Sequence, residues 1–452
     1  MDYSRFFSDD VPSFLRSPVR EIFRKVDLAS IYSFAGGYPD ASTFPLAEME
    51  GLTRQVVEKY GARALQYGGT QGVTELREII SQRYDVPLER VQITTSSQQG
   101  IDVCARVFLN PGDVVLTTYP AYLGALQSFR AYRASVQPLA GRLPLENVST
   151  PGVNKALLRV PGVGRDGASI GCDVGSPGAA GYVRGGAPDR HGRGRSEQSE
   201  RSSDRGSLPA SGKAKLIYIV PDFCNPSGVT MTLEERKALV EFARREDLLI
   251  VEDSPYRELR YSGSDVPTIY SLAPERTLHL GSFSKIFAPG FRLGWIIAEP
   301  ALLEQIFVCK QALDLCPPVF DQYLAAEFMG SGALDRNLKR SISLYRDKRD
   351  YMISLLEKYM PASVTWTHPD GGLFLWVTLP EGVDTVAMYD SALAAGVAYV
   401  AGSFFYPDGS HRNTMRLNFS YLARERMEAG VKLLAAEICR AVSCSSQNVN
   451  SQ

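Results

Sequence analysis

Leu280-Gly-Ser-Phe-Ser-Lys285-Ile-Phe-Ala-Pro289-Gly290-Phe-Arg292-Leu-Gly294-Trp295 places one amine on a Gly/Pro-rich turn just before the buried-strand pattern Leu293-Gly-Trp-Ile-Ile-Ala298. A lysine desolvated near another cation gives up its proton readily and can form a Schiff base with an aldehyde. Arg292, seven residues on, carries a fixed fork of donors suited to a phosphate. Ser282 and Ser284 add hydroxyl donors beside it.

Working outward, further apolar runs stand at Val91–Thr95, Val114–Thr118, Leu216–Val220 and Leu248–Glu252. Such runs read as strands covered on both faces, hence a mainly parallel sheet. Thr232-Leu-Glu-Glu235 opens a helical pattern as a capping box, which completes a strand-helix-strand unit. In open α/β sheets the ligand crevice lies beyond the carboxyl ends of the strands. Asn225-Pro226-Ser-Gly228 and Asp253-Ser-Pro-Tyr256 follow two of these strands, so their side chains are expected to share a pocket with Lys285. From about residue 300 the pattern turns helical and then encloses short strands at 373–377 and 415–419, a smaller α+β domain. The Ser/Asn/Gln-rich stretch 443–452 reads as a frayed tail.

Composition narrows the classes further. The 452 residues hold 49 Lys and Arg against 50 Asp and Glu, a net charge of −1, so no global field steers the chain onto nucleic acid or an anionic membrane. Seven cysteines without C-x-x-C pairs point to a reducing compartment. The opening MDYSRFFSDDVPSF resembles neither a signal nor a transit peptide, and no apolar run is long enough to span a bilayer. The expectation is a cytoplasmic protein that binds neither nucleic acid nor membrane, with no metal site.

Three motifs fail on context. Gly162-Val-Gly164-Arg-Asp-Gly167 fits G-x-G-x-x-G but lacks the strand before and the helix after that a dinucleotide site needs. Arg184 to Arg205 holds six arginines, yet its acids reduce the local charge to about +2, a weak footprint for RNA. Ser282-Phe-Ser-Lys285 matches S-x-x-K, but the S-D-N and K-T-G partners of the serine β-lactamases occur nowhere. Residues 151–212 hold 14 of the 39 glycines, a composition that cannot offset its ordering entropy. A disordered insertion is expected over about 143–212, with the character of a retained intron or an out-of-frame stretch that returns to frame near Lys213.

Asn225, Asp253, Tyr256, Lys285, Arg292 and then Arg416 in Met415-Arg-Leu-Asn-Phe-Ser420 stand in an order and spacing that closely resemble the class I/II aminotransferases of fold type I. The resemblance implies an α/β large domain over 36–310 with a mainly parallel seven-stranded sheet between helices. It also implies an amino-terminal arm over 1–35 packing with a small α+β domain over 311–452, and pyridoxal 5′-phosphate as cofactor. Lys285 then carries the cofactor as a Schiff base, Asp253 meets its ring nitrogen, and Asn225 and Tyr256 bond its phenolate oxygen. A carboxylate beside that nitrogen keeps it protonated, so the ring can draw electrons from the substrate. Ser96, Ser97 and Gln98, at the expected amino terminus of a helix over 97–109, would receive the phosphate with Ser282, Ser284 and Arg292.

By the same resemblance Tyr122 stacks on the ring, Tyr67 reaches the phosphate of a neighbouring subunit, and the partner is therefore a second copy in a homodimer. Arg416 grips the substrate α-carboxylate as a bidentate partner. Gly37, in Ser33-Phe-Ala-Gly-Gly-Tyr-Pro-Asp40, lies where a Cβ would intrude on it. The substrates implied are an L-amino acid and a 2-oxo acid. The opening Ser33–Gly37 and the run Thr94–Gln99 look most like the 2-aminoadipate and kynurenine aminotransferase subgroup, in which Ser17-Pro-Val-Arg20 matches an S-x-x-R element near the substrate side chain. Decarboxylase or aminocyclopropane-carboxylate synthase chemistry on the same fold stays open, as does a catalytically impaired cofactor-binding protein.

Overall fold

The computed structural model describes residues 1, 3–8, 11, 30–139 and 212–449, with side chains only to residue 444 in the last helix. The expected insertion over 143–212 lies outside the described residues apart from its last position, as do Ser17 and Arg20 of the amino-terminal arm.

Seven strands form one sheet in the order Val91–Thr94, Gly294–Ile297, Thr277–Ser282, Leu249–Asp253, Ala214–Ile219, Val114–Thr117 and Ser135–Pro138. The last five run parallel, whereas Gly294–Ile297 is antiparallel to both of its neighbours. The sheet is buried on two sides. Within Ala214–Ile219, Ile217 and Ile219 join one apolar cluster with Leu239, Val240 and Phe242 of helix Leu233–Arg245, while Leu216 and Tyr218 join the other with Ile101 and Val103 of helix Ser96–Phe108. Alternating side chains on a strand reach opposite faces, so a near-continuous apolar run needs both faces covered. The Thr232 box forms as expected: its hydroxyl accepts from the Glu235 N–H and the Glu235 carboxylate accepts from the Thr232 N–H.

Two strands escaped the apolar patterning. Ser135–Pro138 is a half-exposed edge, and Thr277–Ser282 is interrupted in sequence by His279 and Gly281. The tertiary structure accounts for both interruptions in the second strand. His279 lies against the Glu252 carboxylate on the adjacent strand at 3.0 Å. A Cβ on Gly281 would stand 1.9 Å from the Trp295 ring.

The remaining chain builds a second, four-stranded antiparallel sheet in the order Val400–Ala401, Thr414–Asn418, Phe374–Thr378, Thr365–Trp366. Helices Ala333–Tyr359 and Arg424–Val449 belong to this part. Tyr32–Ser33 pairs in parallel with Val397–Ala398 and so ties the beginning of the stretch 30–139 to it. The tail expected to fray continues instead as helix through Val449, because once Met427, Val431, Leu434 and Ile438 anchor the helix each added residue costs little. No helix among the described residues is long and apolar enough to cross a membrane.

Candidate active site

The carboxyl edge of the seven-stranded sheet opens into a cavity of about 650 Å³. Parallel strands deliver their following loops to the same edge. Thus Asn225 arrives from Ala214–Ile219, Asp253 and Tyr256 from Leu249–Asp253, and Ser282, Ser284 and Lys285 from Thr277–Ser282. The antiparallel strand Gly294–Ile297 runs the other way, so its amino end returns Arg292 to this edge. Arg416 comes from the four-stranded sheet and lines the same cavity.

Lys285 is half-buried and its Nζ donates to the Gly37 carbonyl at 2.8 Å. Desolvation, with Arg292 and Arg416 nearby, lowers its amine to about 8. Asp253 is buried, and desolvation raises its carboxyl to about 6 against the opposing pull of the Tyr218 hydroxyl and His279. Tyr218 donates to Asp253 Oδ2 at 2.8 Å, while Oδ1 is buried with no hydrogen-bond partner. Asn225 Nδ2 lies 3.5 Å from the Tyr256 hydroxyl, and Asn225 Oδ1 accepts from Arg416 Nη1 at 2.8 Å.

The Arg416 guanidinium also donates to the Ala35 carbonyl and stands 4.3 Å above the centre of the Phe374 ring. Burial lowers it to about 10, and its Nε has no partner. Opposite, Ser96, Ser97 and Gln98 form the first turn of helix Ser96–Phe108, whose unpaired N–H groups suit an anion. Arg292 Nη2 donates to Ser96 Oγ at 2.6 Å and Nη1 lies 3.5 Å from Ser284 Oγ. Ser96 itself sits at φ +68°, a backbone region uncommon outside glycine. The Tyr122 hydroxyl donates to Gln98 Oε1 at 3.2 Å, and both line the cavity. Gly37 lines it too, and a Cβ there would come within 3.0 Å of Phe374 Cζ.

Tyr67 stands apart: it is 79% exposed and does not line the cavity of its own chain. Sequence reasoning missed Tyr218, although a lone tyrosine inside the aliphatic run Leu216–Val220 was a usable signal, because a buried phenol requires a partner. It also missed Tyr38, Pro39, Leu123 and Gln127 in the cavity wall, for which local sequence holds no signal. No cluster of metal ligands occurs among the described residues.

Comparison with known proteins agrees with this geometry. The family model for aminotransferase class I and II matches residues 36–145 and 206–434, so the match breaks where the insertion was expected. Aromatic-amino-acid aminotransferase 1 of Thermococcus litoralis is 40% identical over 97% of this chain and 95% of its own length. The 2-aminoadipate transaminase of Thermus thermophilus is 32% identical over 96% of each chain. Among solved structures, the kynurenine aminotransferase of Pyrococcus horikoshii, in complex with PMP, superimposes with a TM-score of 0.80 at 36% identity, covering 97% of this chain and 98% of that one.

Proposed function

Because this chain belongs to the class I and II aminotransferases, we propose that it moves the amino group of an L-amino acid to a 2-oxo acid, 2-oxoglutarate, in a ping-pong cycle. It is a pyridoxal phosphate-dependent transaminase of the fold type I group, with amino and oxo acids as substrates. The observation that carries the finer reading is the convergence of Asn225, Asp253, Tyr256, Lys285, Arg292 and Arg416 on one cavity.

The residues present fit the cofactor. The unpartnered, buried Oδ1 of Asp253 suits a protonated ring nitrogen, and Lys285 offers an amine in the same cavity. Pyridoxal phosphate supplies an aldehyde that condenses with amines and a cationic ring that accepts the electron pair of a deprotonated α-carbon. Asp253 keeps that ring protonated, and Tyr218 holds Asp253 in place. Asn225 and Tyr256 present their amide and phenol to the ring oxygen. Ser96, Ser97, Gln98, Ser282, Ser284 and Arg292 receive the phosphate. Tyr122 covers the ring, and Gln98 fixes its hydroxyl.

Arg416 orients the substrate through its carboxylate, with the unpartnered Nε as a ready donor. Lys285, lowered toward neutrality, moves the α-proton, a transfer that contributes about 10²–10⁴-fold when positioned. The first 2-oxo acid leaves before the second enters, since both need Arg416.

Among the described residues the cations lining the cavity are Lys285, Arg292 and Arg416, each engaged as above. A distal carboxylate of the donor therefore calls for a cation from elsewhere, and Ser17 and Arg20 supply that element in this reading. Accordingly Arg20→Ala is expected to raise KM for dicarboxylic donors more than for leucine or phenylalanine, and equal effects on all of them would overturn that assignment. Tyr67, exposed and away from its own cavity, serves the phosphate of a second subunit in a homodimer.

Borohydride reduction of the holoenzyme and peptide mapping tests the covalent centre: the adduct is expected on Lys285. Glutamate formation from 2-oxoglutarate across phenylalanine, kynurenine, 2-aminoadipate and leucine tests the reaction. No adduct on Lys285, or no glutamate from any donor, would overturn the reading.

A further inference from the structure

Lys348 is a buried cation that none of these roles uses. It lies on helix Ala333–Tyr359, 5% exposed, and its Nζ donates to the Asp40 carboxylate and to the Ser420 carbonyl, the latter at 2.7 Å. Asp40 ends the segment Ala35–Asp40, which contributes Gly37, Tyr38 and Pro39 to the cavity wall. Along this segment the Ala35 carbonyl accepts from Arg416, the Gly37 carbonyl from Lys285 at 2.8 Å and the Tyr38 carbonyl from Ser420 Oγ at 2.7 Å.

The segment is pinned at two ends by different means. Before Ala35, the Phe34 N–H donates to the Ala398 carbonyl and the Phe34 carbonyl accepts from the Asn418 N–H, so backbone pairing holds it. At the other end the Asp40 N–H donates to the Tyr345 hydroxyl at 2.9 Å, and the Asp40 side chain holds Lys348. Burial pushes the Asp40 carboxyl up, but Lys348 and the Ser42 N–H outweigh it, so Asp40 stays ionised. A charge this enclosed is stable only with its partner, and removing one member leaves the other uncompensated.

We propose that Lys348, acting through Asp40, is a positioning residue that holds the Ala35–Asp40 strap over the substrate end of the cavity and so sets affinity for the amino donor. The inference rests on the functional reading above, in which Arg416 and this strap border the donor carboxylate. Without the ion pair the Asp40 end of the strap loses its charged anchor and keeps only the Tyr345 and Ser420 hydroxyl contacts, so the carbonyls that face Lys285 and Arg416 are held less firmly. The proposed phosphate contacts Ser96, Ser284 and Arg292 are joined instead to one another.

The test uses the holoenzyme with Lys348→Met, Asp40→Asn and the double variant. Each single change is expected to raise donor KM about tenfold, the scale of one charge-assisted hydrogen bond, with kcat and cofactor affinity within about twofold. The double variant is expected to be no worse than the weaker single variant, as coupled residues are. Amide hydrogen exchange at Asp40 and its strap neighbours should quicken in both singles, with no change in strand Leu249–Asp253.

Asp40→Asn keeps the test decisive should Lys348→Met fail to fold. Unchanged strap exchange and unchanged donor KM would overturn the inference. So would a parallel loss of kcat, KM and cofactor affinity, which a general packing role produces. Exchange is read without turnover, so quickened exchange in a protein that transaminates nothing breaks the functional reading and leaves the strap standing.

Discussion

Asn225, Asp253 and Lys285, on the cavity floor, each stand within six residues of the carboxyl end of a parallel strand. The mouth is built otherwise: Arg416 meets Ala35 across 381 positions, and Lys348 meets Asp40 across 308. Floor residues inherit their places from the hydrogen-bonded register of one sheet. Mouth residues depend on a second sheet, a helix and an early segment docking together. The floor is therefore expected to govern chemistry and cofactor capture, and the mouth to govern which donor enters and how tightly.

Substitution of Lys285 by Ala gives the largest effect. Single-turnover amino transfer, followed by stopped-flow absorbance, should fall by about 10²–10⁴-fold while the proposed phosphate contacts remain intact. A smaller, differently placed loss is expected at the mouth. Arg416→Gln should raise donor KM by about 10–100-fold, the range for a lost charged hydrogen-bond partner, with cofactor affinity nearly unchanged. If cofactor affinity fell in step, floor and mouth would not be separable.

Tyr218→Phe probes the floor alone and should weaken cofactor binding by about 3–10-fold. Asp253 is ionised above about 6 and protonated below it, so cofactor affinity in the parent protein should decline as pH falls through that value. Loss of the Tyr218 hydroxyl removes a stabiliser of the ionised form, which should move the decline to higher pH. An unmoved profile would assign Tyr218 to packing. Thr232→Ala lies outside both regions and should cost about 1 kcal/mol in chemical denaturation, leaving donor KM as it was.

Much of the floor was legible because its signals are local. Asn225-Pro226 and Asp253-Ser-Pro-Tyr256 each follow an apolar run on the edge where parallel strands deposit their loops, and Lys285 stands just before the apolar run Leu293–Ala298. Tyr218 was visible in principle as a phenol in an aliphatic strand. Strand Thr277–Ser282 was not, since its apolar rhythm is broken by His279 and Gly281, whose fitness depends on Glu252 and Trp295 in neighbouring strands. Lys348 and Asp40 gave no sign of each other, because a lysine in a helical stretch is ordinarily solvated and only burial makes this one require a carboxylate.

The order and spacing of the chemistry-bearing residues, the two-sided burial of the large sheet and the family were written in the sequence, since each follows from short-range periodicity and motif. The tertiary structure alone decided that strand Gly294–Ile297 runs backwards and so returns Arg292 to the cavity, and that Tyr218 meets Asp253. It alone closed the mouth with an ion pair between residues 40 and 348. Pairings of this kind are set by packing between distant segments, and local pattern carries no information about which surfaces will meet.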